Sequence, residues 1–211
     1  MLLTIVDYGV GNLRSIAKSI EKANSDNSLN YSVKISSDVN DVKKSDKIVL
    51  PGQGSFKACK SGIDNIKGLQ EELNESVLIK KKPIYGICAG MQLFATIGHE
   101  EEKTSGLNWI PGEVIKLNLG KSNLKIPHMG WNELKIESNS KVFEEKINKD
   151  HAYFIHSYEF IPIDKKNVSI TTNYGKDVIA AVSSGNIFGS QFHPEKSQNT
   201  GIKILTNFLK L

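Results

Sequence analysis

The sequence predicts an α/β protein: a parallel sheet core with an antiparallel strand extension. Two patterns carry that expectation. In the first half, short apolar strand-like runs alternate with segments of helical periodicity, the order that builds a parallel sheet covered on both faces. In the second half, short strand candidates follow one another across turn residues, the order of antiparallel hairpins. At 211 residues, with 39% hydrophobic and 24% charged side chains, residues 1–211 read as one domain with a sizeable core.

The elements follow in order. Leu2 to Val6 is a short apolar strand. Gly11 to Ala23 sets Leu13, Ile16, Ala17, Ile20 and Ala23 on one helical stripe, and the polar stretch Asn24 to Asn30 ends it. Ser32 to Ile35 starts a second strand, and Lys47 to Leu50 is a third, stopped by Pro51-Gly52. Ile66, Leu69, Leu73 and Val77 mark a helical face; Pro83 to Ile87 is a fourth strand, and Ala89 to Ile97 reads as helix. Beyond it, strands are expected at Glu113–Leu117, Leu134–Ile136, Ala152–Tyr158, Val168–Thr172, Val178–Val182 and Ile187–Phe192. Turn residues such as Asn173-Tyr174-Gly175 separate many of them. A last helix near Thr200 to Leu209 buries Ile202, Leu205, Phe208 and Leu209.

Composition excludes several classes of function. The longest apolar run is five residues, Val178 to Val182, too short to cross a bilayer, and the N-terminus meets Asp7 without a basic segment, unlike a signal peptide. The net charge is only +4, and Arg14 is the one arginine among 27 basic residues. Readers of nucleic acid lean on the arginine fork, so no nucleic-acid partner is expected. Cys59 and Cys88 form no C-x-x-C and no zinc-like spacing with histidine, so neither metal nor cofactor is expected, and a reducing, cytoplasmic setting is.

The sharpest chemical signal is Gly86-Ile87-Cys88-Ala89-Gly90. A buried strand turns at once into a helix, as in a nucleophile elbow, with cysteine in place of serine. The flanking glycines permit the tight turn, and a helix N-terminus favours the thiolate. Even with both glycines, Cys88 reads equally as a small core residue after a strand. Of five histidines only His193 brings its own orienter, in His193-Pro194-Glu195. In extended chain, residues two apart face the same side, and Pro194 favours extension at His193. Cys88, His193 and Glu195 thus satisfy nucleophile–base–orienter logic. Oxyanion donors are expected from the N–H of Ala89 and from the turn Pro51-Gly52-Gln53-Gly54.

Together, Asp7-Tyr8-Gly9-x-Gly11-Asn12, Pro51-Gly52-x-Gly54-x-Phe56, Gly86-Ile87-Cys88-x-Gly90-Met91-Gln92, Pro127-His128-Met129-Gly130-Trp131-Asn132, Tyr153-Phe154-x-His156-Ser157-Tyr158 and Gln191-Phe192-His193-Pro194-Glu195-Lys196-Ser197 resemble class I glutamine amidotransferases. Pro127 to Asn132 narrows the resemblance to the glutaminase subunits of imidazole glycerol phosphate synthase. It runs from Leu3 to Phe208. The resemblance implies a flavodoxin-like core and a glutaminase without cofactor. In that reading Cys88 attacks the amide of L-glutamine, His193 moves protons and Glu195 holds His193. Gln92, Glu100, Ser157 and Tyr158 are then contacts to glutamine. Ammonia passes to a separate (β/α)8-barrel cyclase of histidine biosynthesis, which Asn12, Trp131 and Lys196 face.

Two positions depart from the commonest family pattern: Gln53 where valine is usual and Ala89 where leucine is. Both act through backbone N–H in this reading, so the chemistry is expected to survive, and the departure bears on how the Pro51–Gly54 turn reorients. Two competing readings are a glutaminase feeding another synthase and a non-catalytic regulatory homologue. Retention of Cys88, His193 and Glu195 argues against the second.

Overall fold

The computed structural model describes residues 1–120 and 122–211. Its first half contains β1 (Leu2–Val6), α1 (Leu13–Asp26), β2 (Ser32–Ser36), α2 (Val39–Lys44), β3 (Lys47–Leu50), α3 (Phe56–Asp64), α4 (Leu69–Asn74), β4 (Ile84–Ile87) and α5 (Ala89–Gln92). The second half adds β5 (Ile97–Gly98), β6 (Thr104–Ser105), β7 (Gly112–Lys116), β8 (His128–Glu133), β9 (Lys135–Ile136), β10 (His151–His156), β11 (Tyr158–Pro162), β12 (Val168–Asn173), β13 (Asp177–Ser184), β14 (Ile187–Ser190) and α6 (Gln198–Leu209).

The main sheet runs β2-β1-β3-β4-β14-β13-β12-β9. The first five strands are parallel, in the 2-1-3-4-5 order of doubly wound folds, and β13, β12 and β9 continue it antiparallel. β8 and β10 form a separate antiparallel ribbon, and β11-β7-β5-β6 a small third sheet. On one face, Ile16 and Ile20 of α1 join Ile204, Leu205 and Phe208 of α6 in one buried cluster; on the other, Val42, Phe56, Ile63, Leu69 and Leu73 bring α2, α3 and α4 into a second. The central strands β3 and β4 are buried throughout, as a sheet covered on both faces requires.

Three expectations shift. The helix expected over Ala89–Ile97 stops at Gln92, because the next carbonyls go elsewhere: Leu107 N–H bonds Leu93 O (2.7 Å), Trp109 N–H Phe94 O (2.9 Å) and Asn108 N–H Ala95 O (3.0 Å). The expected strand Ala152–Tyr158 is two strands in two sheets, since β10 pairs with β8 whereas β11 pairs with β7, and Ser157 is the corner between them. Helix α1 runs three residues beyond Ala23, to Asp26. The short helices α2 and α3 begin at Asp38 and Ser55, whose side chains accept from the N–H groups of Asn40 and Ala58.

β14 has the largest consequence. It is the outer strand of a hairpin with β13 and also the parallel neighbour of β4, in the register Gly86↔Gly189 and Ile87↔Ser190. The strands that precede Cys88 and His193 therefore end side by side.

Candidate active site

Cys88 follows β4 and begins α5 with φ 54° and ψ −114°. A left-handed φ at a residue with a side chain costs on the order of 1–3 kcal/mol, held here by the surroundings. Cys88 N–H donates to Ser190 O (2.8 Å) from below, and Gly90 and Gly52 allow very close packing from the side. A Cβ at Gly90 would lie 2.1 Å from Leu50 O, and one at Gly52 would lie 2.0 Å from Gly90 N. The Pro51–Gly54 turn thus leans directly on the first turn of α5. With four residues, α5 offers Cys88 one turn of helix dipole, less than the sequence suggested.

Beyond β14 the chain runs Gln191-Phe192-His193 into a short 3-10 turn at Pro194–Lys196. His193 Nδ1–H donates to Glu195 Oε1 (2.8 Å), and both side chains are buried. Burial opposes charge on the imidazole, yet hydrogen bonds to Cys88 and Glu195, with their negative charge, outweigh it and hold its pKa above the ordinary histidine value. The proton is fixed on Nδ1 by Glu195, leaving Nε2 for Cys88.

A cleft of about 320 Å³ opens over these groups. Cys88, Ala89, His193, Gln53, Gly54, Gln92, Glu100, Ser157, Tyr158 and Lys196 all line it, with Pro127, Ile155 and His156. Glu195 lies behind His193, and Gly52, within the turn, packs against Ala89 and Gly90. Glu100 Oε2 accepts from Phe56 N–H (2.8 Å), tying the cleft wall to the start of α3. Both amide hydrogens of Gln92 are engaged inside the protein, by Tyr158 O (3.1 Å) and Gln191 Oε1 (2.9 Å), so its Oε1 is the atom left for a ligand.

Of the positions expected to face a partner, Lys196 lines the cleft, whereas Trp131 and Asn12 lie outside its lining. Trp131 is 48% exposed on β8, edge-on to Tyr153 (6.0 Å), and Lys196 Nζ sits 5.6 Å from the Tyr153 ring centre. Asn12 caps α1 by accepting from Ser15 N–H (3.4 Å), and the adjoining Gly11 lies against Pro51. Among the described residues, no group of three or more His, Cys, Asp or Glu is placed to hold a metal ion.

Several side chains at the site were given no role by the sequence beyond membership of a motif. Tyr8 O–H donates to Pro51 O, and Cys59 S–H donates to Gln53 O (3.6 Å), so the turn is gripped by two of its carbonyls. Burial raises the pKa of Tyr8 well above its usual value and that of Cys59 to about 11, so both remain donors at neutral pH. Gln191, wholly buried, donates Nε2–H to Cys88 Sγ (3.5 Å). His156 and His128 bond each other (3.0 Å). Apart from Cys59, which stands in none, their one signal was a place in the quoted motifs, and spacing alone does not turn that into a contact.

The family model for class-I glutamine amidotransferases matches residues 4–211. Solved structures agree on the fold. A glutamine amidotransferase crystal structure is 16% identical with a TM-score of 0.71, covering 99% of both chains. One from Thermotoga maritima is 16% identical with a TM-score of 0.61, over 92% of this chain and 76% of that one. The imidazole glycerol phosphate synthase subunit HisH of Pelagibacter ubique is 49% identical over the whole of both chains. HisH of Brucella suis is 42% identical over 100% of this chain and 99% of its own, and HisH of Rhodopseudomonas palustris 43% over the same shares. The chain belongs to the class I glutamine amidotransferases, among the HisH subunits of imidazole glycerol phosphate synthase.

Proposed function

We infer that the chain, as the glutaminase subunit of an imidazole glycerol phosphate synthase, hydrolyses L-glutamine through Cys88, His193 and Glu195. It then passes ammonia to a separate (β/α)8-barrel cyclase in histidine biosynthesis. The observation that carries this is the meeting of Cys88 with the His193–Glu195 pair in one cleft, in a chain 49% identical to a HisH along its full length.

The Cys88 thiolate attacks the side-chain carbonyl carbon of glutamine, forming a C–S bond and placing negative charge on the carbonyl oxygen. The backbone N–H groups of Ala89 and of the Gly52–Gly54 turn receive that charge, each worth roughly 2.7–4 kcal/mol in the transition state. Imidazolium His193 gives its Nε2 proton to the departing nitrogen, and ammonia leaves with cleavage of the C–N bond. A water then attacks the thioester while His193 takes its proton, releasing glutamate and the cysteine sulfur. Glu195 keeps Nδ1 protonated throughout and compensates the imidazolium charge. The free oxygens of Gln92 and Glu100, with Ser157 and Tyr158, hold the amino-acid end of glutamine. The exposed Trp131, with Lys196 and the Asn12 end of α1, faces the barrel. Two free cysteines support a cytoplasmic setting, and residues 1–211 act as one unit.

The test is a glutaminase assay with an imidazole glycerol phosphate synthase cyclase barrel and its phosphorylated ribulosyl nucleotide substrate, comparing wild type with Cys88→Ala. Glutamine-dependent imidazole glycerol phosphate is expected from wild type alone, with ammonium-dependent product from both. Absence of glutamine-dependent product with the barrel in excess would assign the ammonia to another synthase.

A further inference from the structure

Cys88 has a second neighbour besides His193. Gln191 Nε2–H points at its sulfur (3.5 Å), and the far end of that amide is not free to turn: Oε1 accepts from Gln92 Nε2 (2.9 Å). The other hydrogen of the same Gln92 amide goes to Tyr158 O (3.1 Å), which also accepts from His156 Nδ1–H (2.9 Å). His156 Nε2, without a proton, accepts from His128 Nδ1–H (3.0 Å). His128 Nε2 in turn accepts from Asn132 Nδ2 (3.2 Å), whose remaining hydrogen goes to Asn173 O (2.8 Å).

From Asn132 on β8 to His156 each tautomer is settled by its neighbour, and from Tyr158 O to the sulfur each amide is; the two arms meet at Tyr158 O, which accepts from both and is held in place by both. Neutral imidazoles are required at both histidines. Burial supplies them, lowering His128 to about 4 and His156 to about 3. Stacking of His128 between Phe154 (4.6 Å) and Tyr174 (4.0 Å) holds the ring in plane.

We propose that Gln191 is a further catalytic residue, donating an amide N–H to the Cys88 sulfur. Its orientation is set by Gln92, whose amide is anchored on Tyr158 O, an acceptor held in place by His156, His128 and Asn132, beside the exposed Trp131. The proposal deepens the glutaminase reading and rests on it. An N–H donor favours sulfur when it carries charge, before attack and again when sulfur leaves the thioester. Gln191, Gln92 and Cys88 belong to the site; Asn132, His128 and His156 are positioning residues that act through Tyr158.

The test reads the sulfur directly. Alkylation of Cys88 by iodoacetamide is followed across pH 6.5–9.5 by peptide mass spectrometry, which separates Cys88 from the buried Cys59. Gln191→Leu is expected to slow alkylation at pH 7 by about threefold or more, with the gap closing at pH 9.5, where a thiol ionises without help. Asn132→Asp offers His128 only acceptors, forces its proton to Nε2 and disrupts the chain, so it slows the reaction at pH 7 in the same direction. The double variant is expected to fall no further than Gln191→Leu. If Gln191→Leu does not fold, Gln191→Glu keeps the shape and the bond from Gln92 while placing a carboxylate oxygen beside the sulfur, and is expected to slow alkylation more steeply. Wild-type rates in either single variant, or effects that multiply in the double, overturn the proposal. Glutamine turnover with the barrel, measured on the same samples, keeps the two claims apart: wild type that alkylates but hydrolyses no glutamine counts against the glutaminase reading and leaves the Gln191 result standing.

Discussion

Cys88 is held in a left-handed backbone conformation, with the His193 imidazole on one side and the Gln191 amide on another. Replacing it with alanine is expected to reduce glutamine hydrolysis by roughly 10³-fold or more, as removal of a nucleophile does. The partner's use of free ammonium should stay within twofold (roughly the scatter of such assays); steady-state glutamate release and ammonium-dependent cyclisation check both halves. Glu195→Gln leaves the shape of the orienter but lets the imidazole adopt the other tautomer, and is expected to lower kcat by roughly 10²-fold or more. It also removes one of the groups that raise His193, so the ring should lose its proton at lower pH in the variant, which titration of the histidine NMR signals measures. These residues were legible because both motifs are local: two glycines around a cysteine, and a histidine two positions from a glutamate across a proline. Gln191 was not. It lies only two residues before His193, yet its contact partners are 99 and 103 positions away in sequence.

The Pro51–Gly54 turn and the β8–β10 ribbon are the elements that shape the cleft. The turn is pinned at Pro51 O by Tyr8 and at Gln53 O by Cys59, on either side of the Gly52–Gln53 peptide. Tyr8→Phe releases the first grip. It is expected to cost about 1 kcal/mol of stability by chemical denaturation and to change the ratio of glutamine turnover with and without the barrel. The ribbon carries its two neutral histidines between buried aromatic rings. Their folded pKa values lie below that of the unfolded chain, so the unfolded state takes up protons first as pH falls. The contribution of these two histidines to stability is therefore expected to be undiminished above pH 6.5 and to fall from there toward pH 4. His128→Asn should flatten that fall, as thermal unfolding at a series of pH values would record. Apolar periodicity revealed the long helices and central strands. It missed α2 and α3, which are short and begin at side-chain caps, and it overran α5, where distant backbone groups claim the carbonyls.

At the scale of the molecule, the cleft opens beside an exposed apolar ribbon bearing Met129, Trp131 and Ile155, which are 58%, 48% and 36% exposed. Exposed apolar surface of this kind marks interaction sites, and the proposed reading places the cyclase subunit there. With the cyclase barrel added, glutaminase turnover is expected to rise on the order of 100-fold, the worth of one oxyanion donor brought into place; equal rates with and without barrel would remove the turn from the explanation. The sequence conveyed the order of elements and the change from parallel to antiparallel halves. It did not convey that β14, reached through a hairpin, would insert beside β4, because strand pairing across about 100 residues leaves no periodic trace in either strand.

That insertion divides the catalyst along the chain. In the proposed mechanism, everything up to the exposed Asn123 carries the sulfur, and everything from Leu124 onward carries the base, its carboxylate and the amide that faces the sulfur. Cut there, the protein is expected to give two halves without glutaminase activity alone, and ammonia release on mixing them would report the zippering of one strand against another.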